Sequence, residues 1–202
     1  MTTTKISLTE ILELAGDIPA EGILTVLGQV AYKSKKGSID LNASPQQVAS
    51  LYQQFQSSEM VERTFSYLFA KTGDKNSAGD SYSKLILFLE NRKAYGMAGD
   101  AAMEADIIFG GTDIFRIKAE KLYTLEIRKL DEERSRNGEV NESYYDEMLL
   151  KAGRRDDFRI RAESRLKSWL ARGEWSVAAG ICDKLGRSEE ATRYRTLNEI
   201  IQ

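Results

Sequence analysis

Carboxylates form the densest cluster of potentially reactive side chains in this sequence. Seven of them fall within residues 131–147: Asp131, Glu132, Glu133, Glu139, Glu142, Asp146 and Glu147. Two well-spaced carboxylates suffice for a hydrolase, and carboxylate oxygens also bind divalent cations. No spacing within the group singles out such a pair, and residues 150–173 carry eight Lys or Arg against three Asp or Glu. We therefore expect the acidic and basic segments to attract each other across a helical hairpin.

A second candidate is the polar stretch "TGDKNSAGDSYS", which begins like a calcium-binding loop. Asp74 stands at its first position and Gly79 at its sixth. However, Ala78 occupies the fifth position, and Leu85 replaces the bidentate glutamate at the twelfth, which removes two ligand oxygens and most of the geometric anchor. The clusters of Gly, Asp and Asn favour a solvated linker loop over residues 73–80.

Residue types that are missing or rare in the composition further restrict the reactions that the chain could catalyse. The chain has no histidine, which is the commonest general base and transition-metal ligand. Its single cysteine, Cys182, lies in the apolar context "AAGICDKLG", which favours a buried, inert thiol. From these features we expect a protein that is not an enzyme and that uses no metal ion or cofactor.

A basic strip is the most distinctive predicted surface. On a helical wheel four arginines fall on one side of the segment 154–172: Arg154, Arg161, Arg165 and Arg172. An apolar face lies beside them, formed by Phe158, Ala162, Leu166, Trp169 and Leu170. In one interpretation the arginine stems cover apolar surface and reach to water. Alternatively the strip, with Trp169, docks an acidic partner or the phosphates of a nucleic acid.

The elements that position these residues are predicted to be helices throughout. Pro19 and Pro45 stand where helices start, and Ser58 is placed to cap another. Apolar residues followed by glycine, as in "AGD" at 98–100 and "LGR" at 185–187, are expected to close helices. Strand-like alternation is missing, and residues 34–44 resemble a loop. The predicted fold is all-α, an irregular stack of antiparallel helical hairpins.

Two similar eight-residue segments, or octets, predict that the same kind of helix start occurs twice. "DIFRIKAE" occupies residues 113–120 and "DDFRIRAE" occupies 156–163, and we expect Asp113 and Asp156 to cap their helices. Further along the first copy, Glu126 falls on the apolar side, where the second copy has Trp169. A carboxylate buried there must either find a partner or mark the end of the apolar stripe.

The predicted domain organisation has three parts. Residues 1–72 form an N-terminal helical subdomain, residues 73–80 the linker loop, and residues 81–202 a C-terminal helical-hairpin domain. No run of 18 apolar residues and no signal peptide is seen, so we expect a cytoplasmic protein with no membrane span.

The C-terminal part resembles tetratricopeptide-type helical-hairpin repeats. The glycines at 153 and 186 are 33 residues apart, close to the period of that family, and "GEWSVAAGICDKLGRSEEATRY" resembles its central turn. Gly186, Glu190, Ala191 and Tyr194 carry the likeness, although the family's terminal proline is missing. The resemblance implies a concave surface that binds a partner protein or peptide.

These observations predict a non-enzymatic interaction or scaffold module that binds a partner protein or peptide with an acidic surface. The alternative is a nucleic-acid-binding accessory factor that uses the basic helix 154–172. The formal net charge of −2 gives the whole chain no general attraction to nucleic acid.

Overall fold

The computed structural model describes residues 4–16, 18–111 and 113–201. The elements in chain order are β1 (Thr4–Ser7), α1 (Leu8–Ala15), α2 (Ala20–Lys35), β2 (Ile39–Asn42), α3 (Pro45–Tyr52), α4 (Glu59–Lys71), α5 (Lys75–Asn91), α6 (Tyr95–Phe109), α7 (Ile114–Asn137), α8 (Glu142–Lys151), α9 (Arg155–Ala171), α10 (Trp175–Lys184) and α11 (Ser188–Ile201). The predicted all-α stack of helices is confirmed.

The helix starts follow the predicted capping chemistry in the N-terminal part of the chain. Ser44 precedes Pro45 and accepts a hydrogen bond from the backbone N–H of Gln47, while the Gln47 side chain bonds back to the backbone N–H of Ser44. Ser7 and Glu10 make the same reciprocal pair at the start of α1. Each pair satisfies two backbone donors that the first turn leaves open. Ser58 caps α4 as predicted.

A short parallel sheet departs from the sequence prediction. β1 pairs with β2, and the register places Ile6 opposite Leu41. The loop predicted for residues 34–44 is therefore wrong at residues 39–42. Strands of four residues are too short to show a clear alternation of apolar and polar residues. The pairing also depends on contacts between residues 35 positions apart in the sequence, since Ile6 and Leu41 join the same apolar cluster.

Among the described residues, the same turn followed by a buried side chain joins helices at five places. One residue in each turn has positive φ, and these residues are Gly73, Lys93, Gly153, Gly173 and Gly186. The next residue donates its N–H to a carbonyl five positions earlier, as from Arg187 to Cys182 at 2.9 Å. Four positions further on lies a buried side chain, in order Ala78, Ala98, Phe158, Ala178 and Ala191. This Schellman-type turn reverses the chain within a few residues and sets successive helices side by side.

The linker loop predicted for residues 73–80 is wrong. Asp74 caps α5 by accepting a hydrogen bond of 3.1 Å from the Ser77 N–H, and Lys75 begins the helix. The polar residues that suggested a loop share this first stretch of α5 with Ala78, which is fully buried. Burial of an apolar face overrides low helix propensity.

The helix end predicted at residues 98–100 is also wrong. The chain turns earlier, around Lys93, and Gly99 lies inside α6. A Cβ atom at Gly99 would come within 2.7 Å of Cδ1 of Tyr123. The glycine is therefore a packing residue, since it makes room for an aromatic ring rather than ending a helix.

The two octets do open helices, α7 and α9, and Ala119 and Ala162 in them are buried. The cap predicted at Asp156 is wrong, because Arg154 occupies the N-cap position of α9. Glu126 is buried and accepts a hydrogen bond of 3.2 Å from the backbone N–H of Gly96, which offsets the cost of burying a carboxylate.

The chain divides into two compact units, residues 1–126 and 127–202. The division therefore falls inside α7 and not at residues 73–80, where α4 and α5 pack as a hairpin within the first unit. The first unit has an aromatic centre in which Tyr52 meets Phe65 and Phe69 edge-on, at centroid distances of 5.2 and 5.4 Å. The second unit buries Phe158, Leu166 and other apolar side chains of α8 to α11, including Cys182.

Candidate functional site

The basic strip on α9 meets the acidic segment on α8, as the charge pattern predicts. Arg165 Nη1 lies 2.5 Å from Oδ2 of Asp146, and Arg161 Nε lies 3.4 Å from Oδ1 of the same carboxylate. Arg161 also forms an ion pair with Glu142, which in turn lies 3.0 Å from Arg134. Two of the four predicted arginines, Arg161 and Arg165, are thus engaged by carboxylates of α8.

Burial of this charge cluster shifts the pKa of one of its arginines. Asp146 is only 2% exposed and has a third cation, Lys184, at 4.0 Å. Burial lowers the pKa of Arg161 to about 10, and repulsion from Arg134 and Arg165 acts in the same direction. The carboxylates offset this crowding of positive charge, so the cluster ties α8 to α9.

Tyr145 lies at the centre of the same cluster. Its ring centre is 4.2 Å from the guanidinium carbon of Arg161 and 4.8 Å from that of Arg134. Its hydroxyl donates a hydrogen bond of 2.7 Å to Asp131. Burial and this hydrogen bond raise the pKa of Tyr145 to about 12. The stacked cations and the anchored hydroxyl hold the ring in one position.

The other predicted binding residues lie near the ends of α9. Arg154 Nε is 2.6 Å from Oδ2 of Asp157, and the guanidinium carbon of Arg172 is 5.1 Å from the ring centre of Trp169. The structure therefore brings Arg161 and Arg165 together over the carboxylates of α8 and leaves Arg154 and Arg172 with local partners. Partner binding by these five residues stays a prediction.

The acidic segment and the calcium-like stretch gather no metal-binding group. Across residues 4–16, 18–111 and 113–201, no set of three Asp, Glu or Cys side chains converges in a way that would hold a metal ion. Asp74, the first residue of the calcium-like stretch, uses its carboxylate to cap α5.

A groove in the first unit is a second candidate site. It encloses a cavity of about 680 Å³ that is lined by α2, α4, α5 and α6. The side chains that line it on α2 and α4 include Thr25, Gln29, Tyr32, Lys33, Lys35, Met60, Arg63, Thr64 and Tyr67, and those on α5 and α6 include Tyr82, Leu85, Met97, Asp100, Ala101 and Glu104. The volume falls in the range of roughly 300–1,000 Å³ that is usual for binding pockets.

The groove combines a base of small or apolar residues with exposed apolar side chains. Ala31, Leu85 and Ala101 are buried yet line the cavity, together with Gly28. Around them Tyr32 is 63% exposed, Met60 44% and Met97 48%. Large apolar side chains that are exposed together around a concave surface mark binding sites more often than chance surface residues do.

Hydrogen bonds between helices hold the groove open in one shape. The buried Tyr82 hydroxyl on α5 donates a bond of 2.7 Å to Glu104 on α6, and Glu104 also pairs with Lys35 on α2. Burial, reinforced by the charge of Glu104, raises the pKa of Tyr82 well above its usual range. Tyr67 on α4 also donates a hydrogen bond of 3.1 Å to Ser34 on α2. The site is preformed, so binding requires little reordering.

Sequence reasoning missed this groove. Its lining residues are spread over residues 25–104, and each is an ordinary residue of an amphipathic helix. Only the way in which α2, α4, α5 and α6 pack makes them neighbours, and no motif or spacing in the sequence records that packing.

The comparisons with known proteins assign no family to the chain. No protein-family model matches the chain, and neither the curated proteins nor the solved structures contain a significant match. In the part of the chain that the structure describes, no helix has both the length and the apolar character of a membrane span.

Proposed function

We propose that this chain is a non-enzymatic interaction module whose first unit binds a segment of a partner protein in the groove between α2, α4, α5 and α6. The observation that carries the proposal is the cavity of about 680 Å³ with the exposed side chains of Tyr32, Met60 and Met97 beside it. Apolar side chains of a partner gain free energy by leaving water for such a surface.

The geometry of the groove favours a protein segment over a small molecule. The cavity is partly open to solvent, and its lining includes both cations and carboxylates. A partner peptide offers apolar side chains for the base together with polar groups for the sides, which is the usual anatomy of a protein interface.

The alternative function, nucleic-acid binding by residues 154–172, has less support. Arg161 and Arg165 face the carboxylates of Glu142 and Asp146, so nucleic-acid phosphates would have to displace partners that the arginines already have. Arg172 and the exposed Arg155 and Arg159 remain at the surface, but no aromatic platform accompanies them beyond Trp169.

A peptide-display selection tests the proposed function. Random peptides displayed on phage are selected on the full chain, and the affinity of each retained peptide is measured by fluorescence anisotropy. Met60→Ala and Met97→Ala should each weaken binding by about tenfold, the loss typical of an apolar hot-spot residue. Leu87→Ala is the matched control, because Leu87 is an exposed apolar residue of α5 that does not line the groove.

The selection also has a result that would contradict the proposal. If every retained peptide binds wild type, Met60→Ala, Met97→Ala and Leu87→Ala equally well, the groove is not the recognition surface. Circular dichroism of the four proteins confirms that each is folded.

A further inference from the structure

A cavity of the second unit, here the arginine cavity, has four arginines in its lining. It measures about 520 Å³ and is lined by residues of α7, α8 and α9 and of the turn before α9. The arginines are Arg134, Arg154, Arg161 and Arg165, and two carboxylates, Glu142 and Asp157, line the cavity with them. Guanidinium groups gathered around one cavity are typical of a site that binds an anion, since each presents a planar fork of N–H donors.

Three of these arginines converge on one carboxylate of the chain itself. Glu142 forms an ion pair with Arg161 and lies 3.0 Å from Nη2 of Arg134. Nη1 of Arg165 is 3.8 Å from the same carboxylate. Glu142 is the first residue of α8 and its side chain is 44% exposed, so it can turn away into water at little cost in free energy. It therefore occupies a place that an anion from outside can take.

The guanidinium groups keep most of their hydrogen-bonding capacity. Each has five N–H donors on three nitrogens. Among the described residues, each of the four uses one nitrogen in a hydrogen bond to a carboxylate, namely Arg134 Nη2, Arg154 Nε, Arg161 Nη2 and Arg165 Nη1. A small anion can use other donors, and the buried ion pairs with Asp146 need not break when Glu142 leaves.

A single carboxylate matches three arginines poorly. Glu142 offers two oxygens and one charge, whereas a phosphate monoester offers three terminal oxygens and a charge of about −1.5 to −2 at pH 7. Burial, reinforced by repulsion from Arg134 and Arg165, lowers the pKa of Arg161 to about 10. A dianion among these arginines would reduce their repulsion more than the carboxylate of Glu142 does.

The arginine cavity also has space and apolar surface for an organic group. Its volume lies within the range of roughly 300–1,000 Å³ that is usual for ligand pockets. Ile160, which is 68% exposed, and the buried Leu149 line it beside the arginines, and Ser164 adds a hydroxyl. The lining therefore favours a phosphate that is attached to an organic group over inorganic phosphate alone.

We infer that the arginine cavity binds the phosphate monoester group of an organic ligand, which takes the place of Glu142 among Arg134, Arg161 and Arg165. The site lies in the second unit and is independent of the groove proposed above. It also differs from docking of a nucleic acid on the basic strip. The backbone phosphates of a nucleic acid are diesters, and each carries only one charge.

Calorimetric titration of the full chain with three probes tests this inference. Phenyl phosphate should bind about tenfold more tightly than benzoate, since the two share a ring and differ in the charge and oxygens of the anionic group. A short phosphoserine peptide distinguishes the source of the phosphate. Tighter binding of the peptide than of phenyl phosphate would show that a partner protein carries the group, and weaker or equal binding would indicate a small molecule.

Neutralising Glu142 gives the sharpest variant. Glu142→Gln removes the competing carboxylate and should strengthen the binding of phenyl phosphate by about threefold to tenfold. Glu147→Gln is the matched control, because it makes the same change in charge on the same helix. Glu147 pairs with Lys151 and does not line the arginine cavity, so its replacement should leave the affinity unaltered.

Removing an arginine should have the opposite effect. Arg134→Gln should weaken the binding of phenyl phosphate by about tenfold, because it removes a charged donor from the site. Arg136→Gln is its control, since Arg136 lies on the same helix, pairs with Glu132 and does not line the arginine cavity. Circular dichroism of the variants confirms that each is folded.

Several outcomes would overturn the inference. These are equal affinities for phenyl phosphate and benzoate, no gain in affinity from Glu142→Gln, and equal losses from Arg134→Gln and Arg136→Gln. The absence of saturable binding of both phosphate probes would overturn it as well. A gain from Glu142→Gln cannot come from unfolding, so that variant remains decisive even if Arg134→Gln destabilises the second unit.

Discussion

Arg165 and Asp146 form an ion pair of 2.5 Å between α9 and α8, and the carboxylate is 2% exposed. Arg161 approaches the same carboxylate at 3.4 Å. Because buried charge is stable only when it is paired, the two arginines and Asp146 depend on one another. The strip that resembles a docking surface in the sequence thus also holds its own hairpin together.

Removing this carboxylate should destabilise the second unit strongly. Asp146→Ala leaves Arg161 and Arg165 half-buried with only the more exposed Glu142 as a shared partner, and we expect the free energy of unfolding to fall by about 3 kcal/mol. Urea denaturation measures the change. Asp157→Ala removes the exposed partner of Arg154 and should cost at most about 1 kcal/mol. Equal losses for the two variants would contradict the structural role of Asp146.

Tyr145 should ionise at a higher pH than a tyrosine of ordinary pKa. Its pKa is raised to about 12 from an ordinary value of 10.0, because burial and the hydrogen bond to Asp131 favour the neutral phenol. Between these two pH values the unfolded chain loses this proton and the folded chain keeps it. The contribution of Tyr145 to stability is therefore complete below pH 10 and is lost as the pH rises toward 12.

Absorbance of the tyrosinate band during an alkaline titration measures this behaviour. Tyr145→Phe should remove one tyrosine from the late-titrating group. If the late-titrating amplitude is the same in wild type and Tyr145→Phe, the assignment to Tyr145 is wrong.

Two glycine-to-alanine changes inside helices should have opposite effects. At Gly99 the new methyl group would collide with the ring of Tyr123, and we expect a loss of about 1–3 kcal/mol in the free energy of unfolding. At Gly180 in α10 nothing lies within 4 Å of the added Cβ, so the better helix propensity of alanine should add about 0.5–1 kcal/mol. Thermal and urea denaturation compare the two variants. A stabilised Gly99→Ala protein would show that the ring moves aside freely.

Lys93 stands where four similar turns have glycine, with φ of +56°. Lys93→Gly should raise the free energy of unfolding by up to about 1 kcal/mol, because glycine adopts this conformation without steric cost. Lys93→Ala is the control, since it also shortens the side chain but keeps the strained backbone, and it should bring no such gain. If both variants behave alike, the side chain of Lys93 matters more than its backbone conformation.

Local chemistry explains why much of the helical fold was predictable. The caps at Ser44 and Ser58, the proline at residue 45 and the glycine turn at residue 186 are short-range features, and each lies where the sequence places it. The prediction failed at residues 73–80 and 98–100, because turn-forming residues there serve a helix cap and a close contact with Tyr123. The residue types alone do not show whether a glycine ends a helix or packs against a ring, or whether an aspartate lies in a loop or caps a helix.

The sequence by itself determined the helical class, most helix ends and the attraction between the acidic segment and the basic strip, since all of these depend on residues that are near in the chain. Only the tertiary structure decided the pairing of β1 with β2, the burial of Glu126 and the groove between α2, α4, α5 and α6. The physical reason is distance along the chain. Residues as far apart as Lys35 and Glu104 become neighbours only when several helices pack together, and that packing is a property of the whole unit.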